Sequence, residues 1–133
     1  MEKFMELLNS NTVMHLATCS DDKPRSSIME YVMIGDKLFF GTDPGSIKGK
    51  NLAKNKNVSL TVGGMPTYLA LDGKVVNAVK KDSEEYFKIL FKRYPHFKEL
   101  VEGGVIKLKV FRVVMDTVYL TSGNELRVIK VKK

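Results

Sequence analysis

Cysteine occurs once in the 133 residues, as Cys19. That excludes an internal disulfide and any metal site built from several thiolates. Histidine occurs twice, as His15 and His96, too sparsely for a histidine-rich metal centre. Apolar runs such as Val113 to Met115 fall far short of the roughly 20 residues that cross a bilayer. The N-terminus lacks the apolar stretch of a signal peptide, being interrupted by Glu2, Lys3 and Glu6, so the cytoplasm is the expected location. Repeats, low-complexity tracts and linkers are missing as well. One domain over residues 1–133 is therefore expected, and a hydrophobic content of 44% is enough to give it a core.

Charge is not scarce. Lys and Arg number 22 against 15 Asp and Glu, for a net charge of +7. A basic balance suits nucleic acid, anionic lipid or a phosphorylated small molecule. Lys48, Lys50, Lys54 and Lys56 cluster in one segment, and Lys130, Lys132 and Lys133 form a basic C-terminal end. Single-stranded nucleic acid calls for aromatic side chains between the cations. None occurs between Lys48 and Lys56, so a basic nucleic-acid-binding barrel is the weaker reading, and neither nucleic acid nor membrane is expected as a partner.

Periodicity sets the elements. Phe4, Leu7 and Leu8 have helical spacing within Glu2–Leu8. Thr12–Thr18 alternates as a strand, Ser20–Pro24 turns, and Arg25–Ile34 reads as one further strand. Gly35-Asp36 marks a hairpin into Lys37–Thr42. Asp43-Pro44-Gly45 turns into a short helix over Ser46–Lys56, with Ser46 as its cap and Gly49 as a weakness. Asn57–Val62 and Tyr68–Val79 read as strands, and Gly73 suggests a bulge or a close backbone approach. Asp82 and Glu85 have capping-box spacing before an amphipathic helix over Ser83–Arg93. Tyr86, Phe87, Phe91 and Tyr94 form its expected core face. Pro95 opens another helical turn, and Gly103-Gly104 stops it. Val105–Leu120 and Leu126–Val131 complete the strands around Ser122-Gly123-Asn124. Strands and helices do not alternate regularly, which excludes a doubly wound sheet and favours a mostly antiparallel barrel with flanking helices.

Two segments could carry chemistry. In Gly41–Lys48 a strand runs through a turn into a helix start, where free N–H groups, the helix dipole, the Thr42 and Ser46 hydroxyls and the Lys48 cation suit a phosphate. An ordinary capped helix with a solvated lysine explains the same residues. In Pro24–Tyr31, Arg25 can fork onto a phosphate, and Ser26 and Ser27 leave room for a flat ligand. A plain edge strand explains these too. His15, Cys19, Asp21-Asp22 and Glu84-Glu85 read as structural.

Together the segments "VMHLATCSDDKPRSSIMEYV" and "LFFGTDPGSIKGKNLAKNKNVSLTV" resemble those of the pyridoxamine 5'-phosphate oxidase-related split β-barrel flavoproteins. The resemblance covers about residues 1 to 80 and becomes generic beyond Lys81. It implies an antiparallel, Greek-key split β-barrel that binds FMN at the two-fold interface of a homodimer. Arg25 and Lys48 would hold the phosphate with help from Ser46. Ser26, Ser27, Ile28 and Met29 would lie along the flavin ring, and Thr42 near the ribityl chain or the ring. A catalytic side chain is not identified, and no metal is implied. The implied activity is an oxidoreductase that passes reducing equivalents from a nicotinamide, NAD(P)H, to a small acceptor. A non-catalytic FMN carrier and a haem- or deazaflavin-binding relative are the alternatives. Glu30 stands where the oxidase carries a lysine, Ile47 where it has a second basic residue, and an Arg-x-His element is missing. Oxidation of pyridoxamine phosphate is therefore not expected; the small reductase-like, nitroimidazole-resistance-like and general-stress members are the better match.

Overall fold

The computed structural model describes residues 2–132. A short helix α1 (Lys3–Asn9) leads into the hairpin β1 (Val13–Ser20) and β2 (Lys23–Glu30). Strands β3 (Val32–Ile34) and β4 (Lys37–Thr42), helix α2 (Ile47–Lys54), and strands β5 (Asn57–Gly64) and β6 (Thr67–Asn77) follow. Helices α3 (Lys80–Arg93) and α4 (Pro95–Glu102) precede the closing hairpin β7 (Lys109–Ser122) and β8 (Glu125–Lys130). All strand pairs are antiparallel. The sheet runs β2-β1-β5-β6-β7-β4-β3, with β8 also on β7. Strand β7 shares its edge between two partners: residues 109–113 pair with β4, and residues 117–122 pair with β8. The result is the mostly antiparallel barrel with flanking helices that the sequence pattern implies, curled as the split barrel that the family resemblance implies.

Period-2 alternation builds the core. Met14, Leu16 and Thr18 of β1 are buried, while Val13 and His15 face out. Leu16 lies opposite Leu60, and Leu60 opposite Leu71, so inward side chains of three strands meet inside the curl. Phe39 and Phe40 point to opposite faces. Phe40 joins the barrel core, while Phe39 packs outside with Val32, Tyr86, Leu90 and Val110, where α3 covers the sheet. The β1–β2 turn consists of Asp21 and Asp22 with φ of 54° and 60°, left-handed values that aspartate tolerates in a two-residue hairpin. No helix among the described residues is long and apolar enough to cross a membrane.

Several boundaries differ from the sequence expectation. The single strand expected over Arg25–Ile34 is two strands that break at Tyr31. Its side chain is 1% exposed, and its hydroxyl donates to the Leu8 carbonyl at 2.6 Å, so the tyrosine turns inward to pin α1. Helix α2 ends at Lys54 because Asn55 is extended, and the Lys56 amine reaches back to the Leu52 carbonyl at 2.8 Å. The Asp82–Glu85 capping box does not form. Helix α3 starts a turn earlier, after an extended Val79 with no side-chain cap, which leaves Asp82 in the first turn, where the helix dipole favours a carboxylate. Strand β7 starts at Lys109 rather than Val105, because Val105 and Ile106 N–H bond back to Leu100 O. Gly73 fulfils both of its readings. The register shifts there, and a Cβ would stand 2.5 Å from Val114 O.

Tyr31 supplies the fold's first test. Tyr31→Phe keeps the ring but strands a buried carbonyl, so it should cost about 1–3 kcal/mol in urea unfolding, with an unchanged slope.

Candidate functional site

Strand β4 ends at Thr42, and the chain turns through Asp43–Gly45, where Gly45 N–H donates to Asp43 Oδ1 at 2.8 Å. The Ser46 hydroxyl donates to the Asp43 carbonyl at 2.7 Å and accepts from Gly49 N–H at 3.1 Å, capping α2 as expected. Gly49 is more than a weak helix residue. A Cβ there would lie 2.3 Å from Asp43 O and 2.9 Å from Pro44 Cα, so its absence lets the turn close onto the helix. Further along, Asn51 Nδ2 donates to Thr18 Oγ1 at 3.1 Å and Leu52 is fully buried, which clamps α2 onto β1.

The β1–β2 register sets Arg25 opposite that same Thr18. Arg25, Lys23 and the α2 residues Ile47, Lys50, Asn51 and Lys54 therefore line one cleft of about 310 Å³. Four cations face it. Asp21, the acidic residue of the lining, lies 3.5 Å from Lys54 in an exposed pair that contributes little. Pro24 also borders a second, mainly apolar cavity of about 580 Å³ beside β1, β5, β6 and β7. Ala17, Ser59 and Asp72 line it in successive register, on the sheet face away from Leu16, Leu60 and Leu71. A basic cleft thus adjoins a larger, mainly apolar cavity whose lining also carries Asp72, Lys74 and Asp116.

The residues singled out in the sequence are not all brought to one place. Arg25 lines the basic cleft and Ser46 caps its helix. Lys48 is half-buried and does not line the cleft. Thr42 is 2% exposed, with its hydroxyl 3.4 Å from that of Ser46 beneath the turn. Ser26 and Ile28 are exposed and Ser27 half-buried along β2, the end strand of the sheet. Met29 borders a third cavity. Sequence reasoning passed over Lys23, Lys50 and Lys54 as site residues. The signal was present: positions 47, 50, 51 and 54 share one helix face by the i, i+3, i+4, i+7 rule, and position 48 lies off it.

Helices α3 and α4 cover the far end of β2. Glu30 is held there from both sides: Arg93 Nη1 lies 3.2 Å from Oε2, and the Tyr94 hydroxyl donates to Oε1 at 2.6 Å. The expected core face of α3 is only partly that. Tyr86 and Leu90 are buried and Phe87 and Phe91 half-buried, but Tyr94 is 44% exposed and turned to Glu30. The Glu30 carboxylate, which accepts the hydrogen bond from the phenol, raises the Tyr94 pKa, while burial pushes Tyr86 up to about 12.

Residues 1–122 match the family described as Pyridoxamine 5'-phosphate oxidase. No curated protein matches the chain in sequence. Similar solved structures include a heme binding protein from Mycobacterium smegmatis, with a TM-score of 0.79 at 16% identity. That match covers 93% of this chain and 55% of that protein, so the chain spans about half its length. A NimC/NimA family protein from Clostridium acetobutylicum has a TM-score of 0.73 at 17% identity, covering 98% and 93% of the two chains. A FAD-binding protein from Mesorhizobium loti has a TM-score of 0.69 at 20% identity, with 87% of each chain covered. At these identities the likeness speaks for the fold.

Tyr86 sets a pH dependence. Its pKa is about 12 when folded and 10.0 ordinarily, so the stability it contributes is complete below pH 10 and is lost as pH rises toward 12. Urea unfolding at stepped alkaline pH should show that fall, and Tyr86→Phe should lessen it over that window.

Proposed function

Because the chain belongs to the pyridoxamine 5'-phosphate oxidase family, we propose that it is an FMN-binding oxidoreductase that works as a homodimer. The observation that carries this reading is the junction at Pro24 of a cleft with four facing cations and a mainly apolar cavity of about 580 Å³. A ligand with a dianionic phosphate at one end and a flat, largely apolar ring system at the other matches that pair of environments. Neither His15 nor His96 lines these cavities, which favours flavin over a histidine-ligated haem.

In this reading Arg25 forks onto the phosphate, with Lys50 and Lys54 beside it and Lys48 adding field from the first turn. Ser46 and Thr42 act beneath them by holding the turn and the helix start. The open edge of β2, from Ser26 to Met29, offers backbone groups to the polar rim of the ring system. The chemistry a bound flavin supplies is transfer of reducing equivalents from a reduced nicotinamide to a small acceptor. The second copy of the chain closes the site. Ile28 is 73% and Val76 44% exposed, apolar surface at β2 and at the large cavity that a partner would cover. Glu30 is an acidic group pinned by Arg93 and Tyr94, so pyridoxamine phosphate is not the substrate proposed.

Colour tests the cofactor. The purified protein should show oxidised-flavin bands that are released on denaturation, and a haem-type Soret band instead would overturn the assignment. In titrations, Arg25→Ala and Lys50→Ala should each weaken FMN binding by about ten- to a hundredfold, the loss of a charge-assisted hydrogen bond. Lys48→Ala should cost less. Riboflavin, which has no phosphate, should bind all three variants as it binds the parent. Unchanged FMN affinity in Arg25→Ala combined with Lys48→Ala and Lys50→Ala would refute the phosphate placement. NAD(P)H consumption by the holoprotein separates an enzyme from a carrier with the same site.

A further inference from the structure

A third cavity, about 280 Å³, opens between the end of β2, strand β4 and the α3–α4 insertion. Its walls are apolar: Met29 from the sheet side, Leu90 and Phe97 from the two helices, and Leu108 from the segment leading into β7. Tyr86 lies at its base, packed so closely on the strand that a Cβ at Gly41 would sit 2.9 Å from its hydroxyl. Gly41 is thus the small residue that admits the tyrosine. Glu30 and Tyr94 stand at the rim.

The charge of that rim is arranged in a specific way. Arg93 Nη1 lies 3.2 Å from Glu30 Oε2 and also donates to the Tyr31 carbonyl at 2.9 Å, so the guanidinium is anchored to the backbone as well as to the carboxylate. The Tyr94 hydroxyl takes one lone pair of Oε1 at 2.6 Å. The carboxylate is therefore fixed in place and its charge is offset. Each oxygen still has acceptor capacity, because a carboxylate offers about four lone-pair sites.

We propose that this cavity binds a small uncharged planar ring bearing one hydrogen-bond donor, with the ring between the α3 and β2 side chains and the donor directed to Glu30. The volume suits one or two fused rings rather than a drug-sized molecule. An apolar wall rewards an aromatic body, and Tyr86 and Phe97 offer ring faces and edges to it. An anion, including any phosphate ester, meets a carboxylate with no free cation among the lining residues. A cation gains little, since Arg93 already offsets Glu30, and it still bears the cost of leaving water. A neutral donor loses least and gains a charge-assisted hydrogen bond. Through Met29 the cavity adjoins the stretch that the proposed function lays along the flavin ring, but its test needs no flavin to be bound.

Phenol, toluene and benzoate test it as matched probes, titrated at neutral pH into the full chain with and without added FMN. Methyl resonances of Met29, Leu90 and Leu108 report binding. Phenol should shift all three and bind about tenfold more tightly than toluene, the expected gain from a hydrogen bond to a charged group. Benzoate should shift none. Glu30→Ala should erase the preference for phenol while toluene still binds. Leu90→Phe, or Leu108→Phe should the first not fold, should fill the space and abolish both. Silent methyls at millimolar phenol, as when a second copy of the chain occupies the cavity, would overturn the proposal. So would a phenol preference that survives Glu30→Ala. Because the readout is a methyl shift and not turnover, a protein that ignores FMN but takes phenol fails only the flavin assignment.

Discussion

The seating of α2 on the first hairpin is the constraint on which the site depends. Two contacts make it. At one end, Gly49 lets the Asp43–Gly45 turn lie directly against the helix, where a Cβ would be 2.3 Å from Asp43 O. At the other, Asn51 bonds Thr18 at 3.1 Å. Thr18 is the register partner of Arg25, so one hydrogen bond fixes the helix to the strand directly beneath the arginine. Without that clamp the cations of α2 and of β2 would belong to separate surfaces. With it they face a common cleft, whose like charges suit the anion of the proposed function.

Much of the fold was legible because its signals are local. Alternation in Val13–Thr18, the turn at Gly35-Asp36, the cap at Ser46 and the break at Gly103-Gly104 each depend on a few neighbouring residues, and each holds. The failures arise where tertiary contacts override local preference. Nothing in Glu30-Tyr31-Val32 distinguishes a continuous strand from a broken one; the break comes from the Tyr31 hydroxyl reaching a carbonyl of α1, 23 positions away. Gly49 reads as a flaw in a helix until the turn that rests on it is seen. The Asp82–Glu85 spacing is a capping signal that loses to an earlier helix start, after which Asp82 serves the helix dipole from inside the first turn.

The site was half legible. Arg25 at a strand start and the turn into Ser46 were visible as chemistry-bearing residue types, and the structure brings their elements together. The choice among the lysines was not settled by proximity to the cap. It depends on which face of α2 meets β2, and that face follows from the apolar anchors: with Leu52 fully buried in the barrel core, Lys50 and Lys54 take the side next to Arg25. Helical geometry then separates Lys48 from them by its own periodicity.

In the proposed function this arrangement shifts the weight of anion binding from the helix terminus to side chains. A bare helix start offers its first N–H groups and roughly half a positive charge. Here Gly49 N–H already donates to Ser46 Oγ, and that hydroxyl donates in turn to Asp43 O, so part of the donor set is spent on closing the turn. That share of the terminus closes the turn instead of facing outward. What remains to meet an anion is a row of cations spaced by one helical turn on α2 and matched by Lys23 and Arg25 on β2. Such a row holds its charge in place because both elements that carry it are locked to Thr18 and the barrel wall. The same hairpin ends, five residues beyond Arg25 along β2, in the Glu30 carboxylate with its charge offset by Arg93. One strand thus runs from a strongly positive environment to an electrically balanced, apolar one, and that gradient is what allows a single edge to present two different chemistries.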